Sequence, residues 1–488
     1  MDQLSVELIH CICDFLLPED LRALRLVCRG FAAVGAAHLL PELHIIRHPE
    51  FEKHALEVIK HPIFGRHVKS LYYEADILDR PLSFRKWEIA SDTTWTTLFP
   101  PKHLWTHRPR DGFRTTNAGA QLSTSLKGLD EQERRRRFKA YRYVAGWTYR
   151  TLASDNDLAL LSQTIRNLPE LKRLYISTAN GLGGRSFRLF HAFRDCGAIP
   201  FGAHHEHPEG VRELEAAVYA LKAVDCGLEK LHVGRLAWTF FRDPNTRIPL
   251  LTSLNTLCRT LKSLRLEILT GFGAERESTD TFDLSLESRK FLSNGALGRL
   301  LDSVDDLQSL DLAFVGDVRV EEAAADFSLL VNASKTWPNL KKLCLSNVAI
   351  EQEPFLDFIE RHSSKLRILR FMHYMVLKPG GWIELFKSIN AKTKLDDALV
   401  VGHLEADGRR EIQDGTEVWV EPWLIKMANL TELDPMRDAL VKYLVNGEGV
   451  CPLTIPDTIY VGQDRANHGP GIIAPERRSN SRWWTWER

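Results

Sequence analysis

Three clusters in this sequence have residue types that could do chemistry. His204-His205-Glu206-His207 gathers metal-ligand types. Adjacent positions on an irregular loop rarely converge on one ion, and no distant Cys/His pair at metal spacing supports them, so the run reads as a polar loop. Gly181-Leu182-Gly183-Gly184 follows an apolar, strand-like segment but lacks the full dinucleotide or phosphate-loop pattern, and reads as a turn. Arg134-Arg135-Arg136-Arg137 lies in a basic stretch, residues 102–150, with 12 Lys/Arg and 4 Asp/Glu. Four successive arginines on a helix point all round it. A nuclear-import patch or a contact for an acidic partner would use them, but the first reading is a solvated helix. No Gly-x-Ser-x-Gly or His-Glu-x-x-His occurs, and no nucleophile–base pairing stands out. The expectation is a non-enzymatic chain with no catalytic residue, cofactor or metal.

Composition narrows the class. The 488 residues are 44% hydrophobic and 26% charged, as in a globular protein of two to four domains or one long solenoid. Lys+Arg 64 balances Asp+Glu 64. That balance argues against general nucleic-acid binding and against a polybasic membrane anchor. No apolar run approaches the ~20 residues that span a bilayer. Met1-Asp2-Gln3 lacks the basic start of a secretory signal. The 8 cysteines form no Cys-x-x-Cys pair and most sit among apolar residues. Buried free thiols and a cytoplasmic or nuclear location are expected.

With chemistry set aside, the positioning elements become informative. Leu4, Leu8, Ile12 and Phe15 follow helical spacing, with Cys11 and Leu16 beside them. Ser5 or Asp2 can cap this helix, and Glu7 suits its N-terminal end. Pro18 stops it and opens the next helix, whose first turn holds Glu19 and Asp20. Leu21, Leu24, Cys28 and Phe31 make a second stripe, and a third short helix is expected over Ala36–Leu40. About 40 residues is little for an independent core, so a partner that completes the burial is physically sensible.

Further along, the phrase Leu-x-x-Leu-x-Leu recurs. It reads Leu171-Leu174-Ile176, Leu228-Leu231-Val233, Leu261-Leu264-Leu266, Leu307-Leu310-Leu312, Leu340-Leu343-Leu345 and Leu366-Leu369-Phe371, with a weaker copy at Val68-Leu71-Tyr73. The last two apolar positions of each copy lie two apart, on one face of a short strand. Amphipathic helical stretches lie between copies, as at Val211–Val224, Glu321–Ser334 and Pro354–Arg361. A strand-plus-helix unit buries its apolar face only by stacking on neighbours.

The segments are similar to two known families. Leu4, Glu7-Leu8, Pro18-Glu19-Asp20-Leu21, Val27-Cys28-Arg29 and Phe31 resemble the F-box, departing from its pattern at Ser5, where proline is usual. The recurring phrase resembles divergent leucine-rich repeats, and the combination resembles F-box families of filamentous fungi. The fold implied is α/β: a helical F-box over 1–42, then an irregular leucine-rich-repeat solenoid over 60–376 with an insertion at about 79–150. A capping region over 377–462, with a helix from Asp434 to Leu444, and a flexible tail over 463–488 are expected to follow. The insertion contains Trp87, Trp95, Trp105 and Trp147 and should end in a helix from Asp130.

The resemblance implies a substrate-recognition subunit of an SCF-type ubiquitin ligase. Leu4, Leu8, Ile12, Pro18, Leu21, Leu24 and Val27 would form or support the interface with the Skp adaptor, and through it a cullin ligase. An unidentified target protein would meet the concave strand face. Its candidate contacts are Arg173, Tyr175, Lys230, His232, Arg265, Glu267, Asp311, Lys342 and Arg370, with Ser177, Ser346 and Met372 nearby. That row is polar and mixed in charge, which suits protein recognition better than a lipid or an apolar ligand. The alternative is a leucine-rich interaction scaffold whose F-box is degenerate.

Overall fold

Ser5 starts the first helix, α1 (Val6–Cys13): its Oγ accepts the Leu8 amide at 3.4 Å. Helix α2 (Pro18–Leu24) opens on proline, with Glu19 and Asp20 in its first turn. The second apolar stripe does not stay on one helix. Cys28 adopts an extended backbone and caps α3 (Arg29–Leu39), its Sγ accepting the Phe31 amide at 3.5 Å. The separate helix expected at Ala36 is therefore the C-terminal part of α3. Ile9, Cys13, Leu21, Phe31 and Val34 form the core of this small bundle, with Leu16, Leu24 and Leu39 packed on it.

This computed structural model describes residues 4–78, 82–89, 128–178, 193–197, 210–242, 247–270, 281–315, 325–406, 409–413, 416–421, 424–427, 434–447, 449–453 and 471–473. The chain divides into two compact units, 1–280 with 303–306, and 281–302 with 307–488.

The architecture is α/β. A nine-stranded parallel sheet takes its strands in chain order. In the first unit these are β1 (Glu42–Ile46), β2 (Ser70–Glu74), β3 (Arg173–Ser177), β4 (Lys230–Ala237) and β5 (Ser263–Leu269). Their register stacks Leu43, Leu71, Leu174, Leu231 and Leu264 in one row, and Ile45, Tyr73, Ile176, Val233 and Leu266 in another. Both rows are buried. Helices precede or link the strands: α4 (Pro49–Lys60), α5 (Glu131–Ala153), α6 (Asn156–Arg166), α7 (Val211–Ala223) and α8 (Ile248–Cys258). Helix α5 begins where the sequence places it, because Asp130 caps it through the Glu133 amide at 2.7 Å. Its buried side carries Tyr141, Val144 and Ala145 against Trp87, Phe193 and Cys196, in a cluster that includes Ile46 of β1 and so packs the insertion on the body of the first unit.

The second unit contributes β6 (Ser309–Val315), β8 (Lys342–Ser346), β10 (Ile368–Met372) and β12 (Asp397–Val400), with β7 (Ala325–Asp326), β9 (Val348–Ile350), β11 (Tyr374–Leu377) and β13 (Gly402–Ala406) between or after them. Within this unit the register stacks Leu310, Leu343, Leu369 and Ala398 in one row and Leu312, Leu345, Phe371 and Val400 in another. Strands β7, β9, β11 and β13 pair in parallel in a second, mixed sheet, completed by antiparallel β16 (Leu424–Met427) and β17 (Gly471–Ile473). A two-stranded ladder joins β14 (Arg409–Gln413) to β15 (Thr416–Glu421).

The step from one sheet to the other turns at a residue with positive φ: Asn347 at 56° and His373 at 64°, each alone between its strands, and Gly402 at 96°, which follows Val401 and opens β13. The Asn347 side chain joins successive corners, Oδ1 accepting the Tyr374 amide at 2.9 Å and Nδ2 donating to the Phe314 carbonyl. Helix expectations hold over Gln352–His362 and over Pro435–Asn446, where Asp434 is the cap. They do not hold over 321–334. The described part of that segment is β7 and one turn, Phe327–Leu330, because Asp326 and Asn332 take neighbouring amides with their own side chains.

Candidate protein-interaction surfaces

Helix α1 is two-sided, and the larger apolar side is uncovered. Ile9 and Cys13 face the bundle core, while Leu4, Val6, Leu8 and Ile12 are exposed, Leu8 by 53%. The joints add Phe15 (89% exposed), Leu17, Leu26 (88%) and Val27. Of the 17 large apolar side chains exposed among the described residues, eight lie within residues 4–27, so the exposure is concentrated rather than scattered. Of the residues named for adaptor contact, Leu4, Leu8, Ile12 and Val27 are thus on this surface. Leu21 is buried and Leu24 half-buried beneath it, and Pro18 is described only as the first residue of α2. A polar relay holds α1 to α3: Asp14 Oδ1 lies 3.0 Å from His38 Nδ1, and His38 Nε2 lies 2.7 Å from His10 Nδ1. Burial lowers the His38 pKa, against the pull of Asp14.

The other surface is the sheet face opposite the leucine rows. In the first unit, parallel register aligns His44, Tyr72, Tyr175, His232 and Arg265 across five strands. The rings form a ladder. His44 stacks on Tyr72 at 4.3 Å between centroids, Tyr72 stacks on Tyr175 at 4.1 Å, and Tyr175 meets His232 edge-on at 4.9 Å. His232 Nε2 then lies 3.1 Å from Ser263 Oγ. Tyr72 donates its hydroxyl to Glu42 at 3.2 Å, and buried Glu74 lies 3.6 Å from His44 Nδ1. Glu267 is shared between Arg265 and Arg235 at 4.0 and 3.7 Å. Arg173 and Lys230 sit half-buried, in register with each other at the strand starts. Tyr175 and Ser177 are buried. In the second unit Lys342 is half-buried, Asp311, Ser346 and Met372 are buried, and Arg370 bridges to Asp397.

Sequence reasoning missed His44 and Tyr72, and Asp397 with them. The signal for the strands that bear His44 and Asp397 was present in degenerate form, as Leu40-x-x-Leu43-x-Ile45 and Leu395-x-x-Ala398-x-Val400.

A third cluster is internal. Arg47 Nη2 lies 2.7 Å from Asp157 Oδ2 and 2.6 Å from Glu213 Oε1, joining β1 to α6 and α7, and Arg212 adds a contact to Asp157 at 3.1 Å. Burial pushes the nearby Glu52 carboxyl up to about 8, with Asp157 adding to the shift and Arg47 opposing it. The arginine run is compensated. Arg134 pairs with Glu88 at 3.2 Å, Arg135 with Glu131 at 2.6 Å, and Arg136 and Arg137 with Glu133 at 2.7 and 3.0 Å.

The His204–His207 and Gly181–Gly184 runs, Trp95, Trp105 and most of the tail from 463 lie outside the described residues. Among the described residues no group of three or more His, Cys, Asp or Glu is placed to hold a metal ion, and no helix is long and apolar enough to cross a membrane. All eight cysteines are free. Cys13, Cys196, Cys258, Cys344 and Cys451 are buried, whereas Cys11 and Cys28 are exposed on the helical bundle. No protein-family model matches this chain, and no curated protein matches it.

Proposed function

We propose that the chain is a substrate-recognition subunit of an SCF-type ubiquitin ligase. In this reading residues 4–40 are an F-box docking on a Skp-type adaptor, and the strand–helix units are leucine-rich repeats forming a solenoid that holds a target protein. The observation that carries the reading is the uncovered apolar surface of α1 and its joints, Leu4, Leu8, Ile12, Phe15, Leu26 and Val27, on a bundle whose own core lies elsewhere. Large apolar surfaces of this kind gain roughly 25 cal/mol per Å² when a partner covers them. The solenoid reading is supported by strand order that follows chain order, with the leucine phrases of each unit in matching register. The chain then acts by raising the effective concentration of a target near the ubiquitin-loaded enzyme, not by chemistry of its own.

Ser5 supports a second reading, a repeat scaffold with a degenerate F-box, because it departs from the usual proline. Its side chain nevertheless serves α1 directly, capping it through the Leu8 amide. Co-purification of the full chain with a Skp adaptor tests the first reading. Retention that is lost on removing residues 4–40 is the expected result. Folded protein that does not retain the adaptor, or retains it without those residues, leaves the scaffold reading.

A further inference from the structure

The basic insertion plays no part in the proposed function, and α5 divides it into two halves of different character. Residues 134–154 contain seven Lys/Arg and no Asp/Glu. The first four, Arg134 to Arg137, are paired with Glu88, Glu131 and Glu133. The last three, Lys139, Arg142 and Arg150, are exposed and have no ion-pair partner among the described residues. At 3.6 residues per turn, Lys139, Tyr143, Gly146 and Arg150 follow one line along the helix, with Arg142 and Tyr149 beside it. Tyr143 is 60% exposed and Tyr149 is exposed as well. A side chain at Gly146 would meet nothing within 4 Å, so the line runs through open space. The opposite side of the helix, with Tyr141, Val144, Thr148 and Leu152, is buried. The helix dipole favours a cation only in the last turn, which accounts for Arg150 but not for Lys139 or Arg142.

We infer that this face of α5 docks an acidic polypeptide segment of a partner protein. Three uncompensated cations, spaced along about three turns and interleaved with tyrosine hydroxyls, match carboxylates on an extended or helical segment. Three cations on one line favour a short acidic segment over a nucleic acid, whose affinity grows with the number of phosphates neutralised at the contact. The proposal is independent of adaptor binding.

The test uses the full chain and a fluorescein-labelled oligoglutamate peptide, read by anisotropy at low salt. Binding is expected to weaken roughly tenfold or more in a Lys139→Glu, Arg142→Glu, Arg150→Glu variant and to fall as salt rises. The neutral variant Lys139→Gln, Arg142→Gln, Arg150→Gln is expected to lie between, and guards against misfolding. A control that removes the same charge elsewhere, Lys53→Gln, Lys60→Gln, Lys69→Gln, should bind as the parent does. The inference is overturned by absence of peptide binding, by equal loss in the control, or by tighter binding of single-stranded oligothymidylate or of anionic phospholipid vesicles than of the peptide.

Discussion

Arg47 and Asp157 meet at 2.7 Å inside the first unit although 110 residues separate them, and neither side chain reaches solvent appreciably. The guanidinium is shared with Glu213 and also donates to the Ala75 carbonyl, so one side chain fixes β1, α6 and α7 together. Removing either partner strands a buried charge. Arg47→Ala is expected to destabilise the protein by about 3–5 kcal/mol, and Asp157→Ala by a similar amount. Urea denaturation checks this. A loss within about 0.5 kcal/mol, the scale of an ordinary surface change, counts against the cluster as a structural clamp.

Leu8 and Ile9 are sequence neighbours on α1, the first exposed and the second buried in the bundle core. Leu8→Asp with Ile12→Asp should abolish adaptor retention while leaving the thermal midpoint nearly unchanged. Ile9→Ala should instead destabilise the bundle by about 2–5 kcal/mol through the cavity it leaves. Adaptor pull-down and calorimetry, run on both variants, separate the two roles. Undiminished retention by the Leu8/Ile12 variant counts against the apolar face as the docking site.

Gly402 turns the chain from β12 into β13 with φ at 96°, and a Cβ there would fall 2.0 Å from the His373 carbonyl oxygen. Backbone, not a flexible side chain, is the obstacle. Gly402→Ala is therefore expected to cost at least about 1–3 kcal/mol and to raise hydrogen exchange at the His403 amide, which donates to the His373 carbonyl at 2.6 Å. Unchanged exchange at His403 would show that the corner tolerates a side chain.

His362 is buried and bonded at both ring nitrogens. Nδ1 donates to the Phe358 carbonyl at 2.7 Å, and Nε2 accepts the Trp337 amide at 2.9 Å. Accepting requires the neutral ring. Burial lowers its pKa below the ordinary imidazole value of 6.5, against the opposing hydrogen bond to Phe358. The unfolded chain therefore binds the proton more readily. Stability from this group is full above 6.5 and is lost as pH falls from there through the folded value. His362→Asn should lower the thermal midpoint at neutral pH and reduce its dependence on mild acid. An equally steep acid loss in the variant would assign the dependence to other groups.

Much of the fold was legible because its signals are local. The Leu-x-x-Leu-x-Leu phrases marked β2, β3, β4, β5, β6, β8 and β10, since a two-residue alternation puts both apolar side chains on one face whatever follows. Asp130 and Asp434 announced their helices because a cap acts on the next few amides. Where the apolar pattern degenerated, as at Leu43 and Ala398, strands went unseen, and so did the single-residue corners at Asn347 and His373. Of the proposed docking segment, Leu4, Leu8, Ile12 and Leu21 were legible only as apolar residues at helical spacing on two successive helices. Their division into exposed Leu8 and Ile12 and buried Leu21 was not readable, because both kinds are leucine or isoleucine at helical spacing.

What the sequence determined by itself was the set of elements, a helical N-terminal segment and a series of leucine-marked strands, because these follow from periodicity and capping over a few residues. Only tertiary structure decided which residues meet. Parallel register brought His44, Tyr72, Tyr175 and His232 into one ring ladder from segments up to 188 positions apart, as His44 and His232 are. Packing of a helix on the sheet likewise delivered Asp157 to Arg47, and it left Lys139, Arg142 and Arg150 without carboxylates among the described residues. Such meetings depend on how strands stack and where insertions return, and distance along the chain carries no record of either.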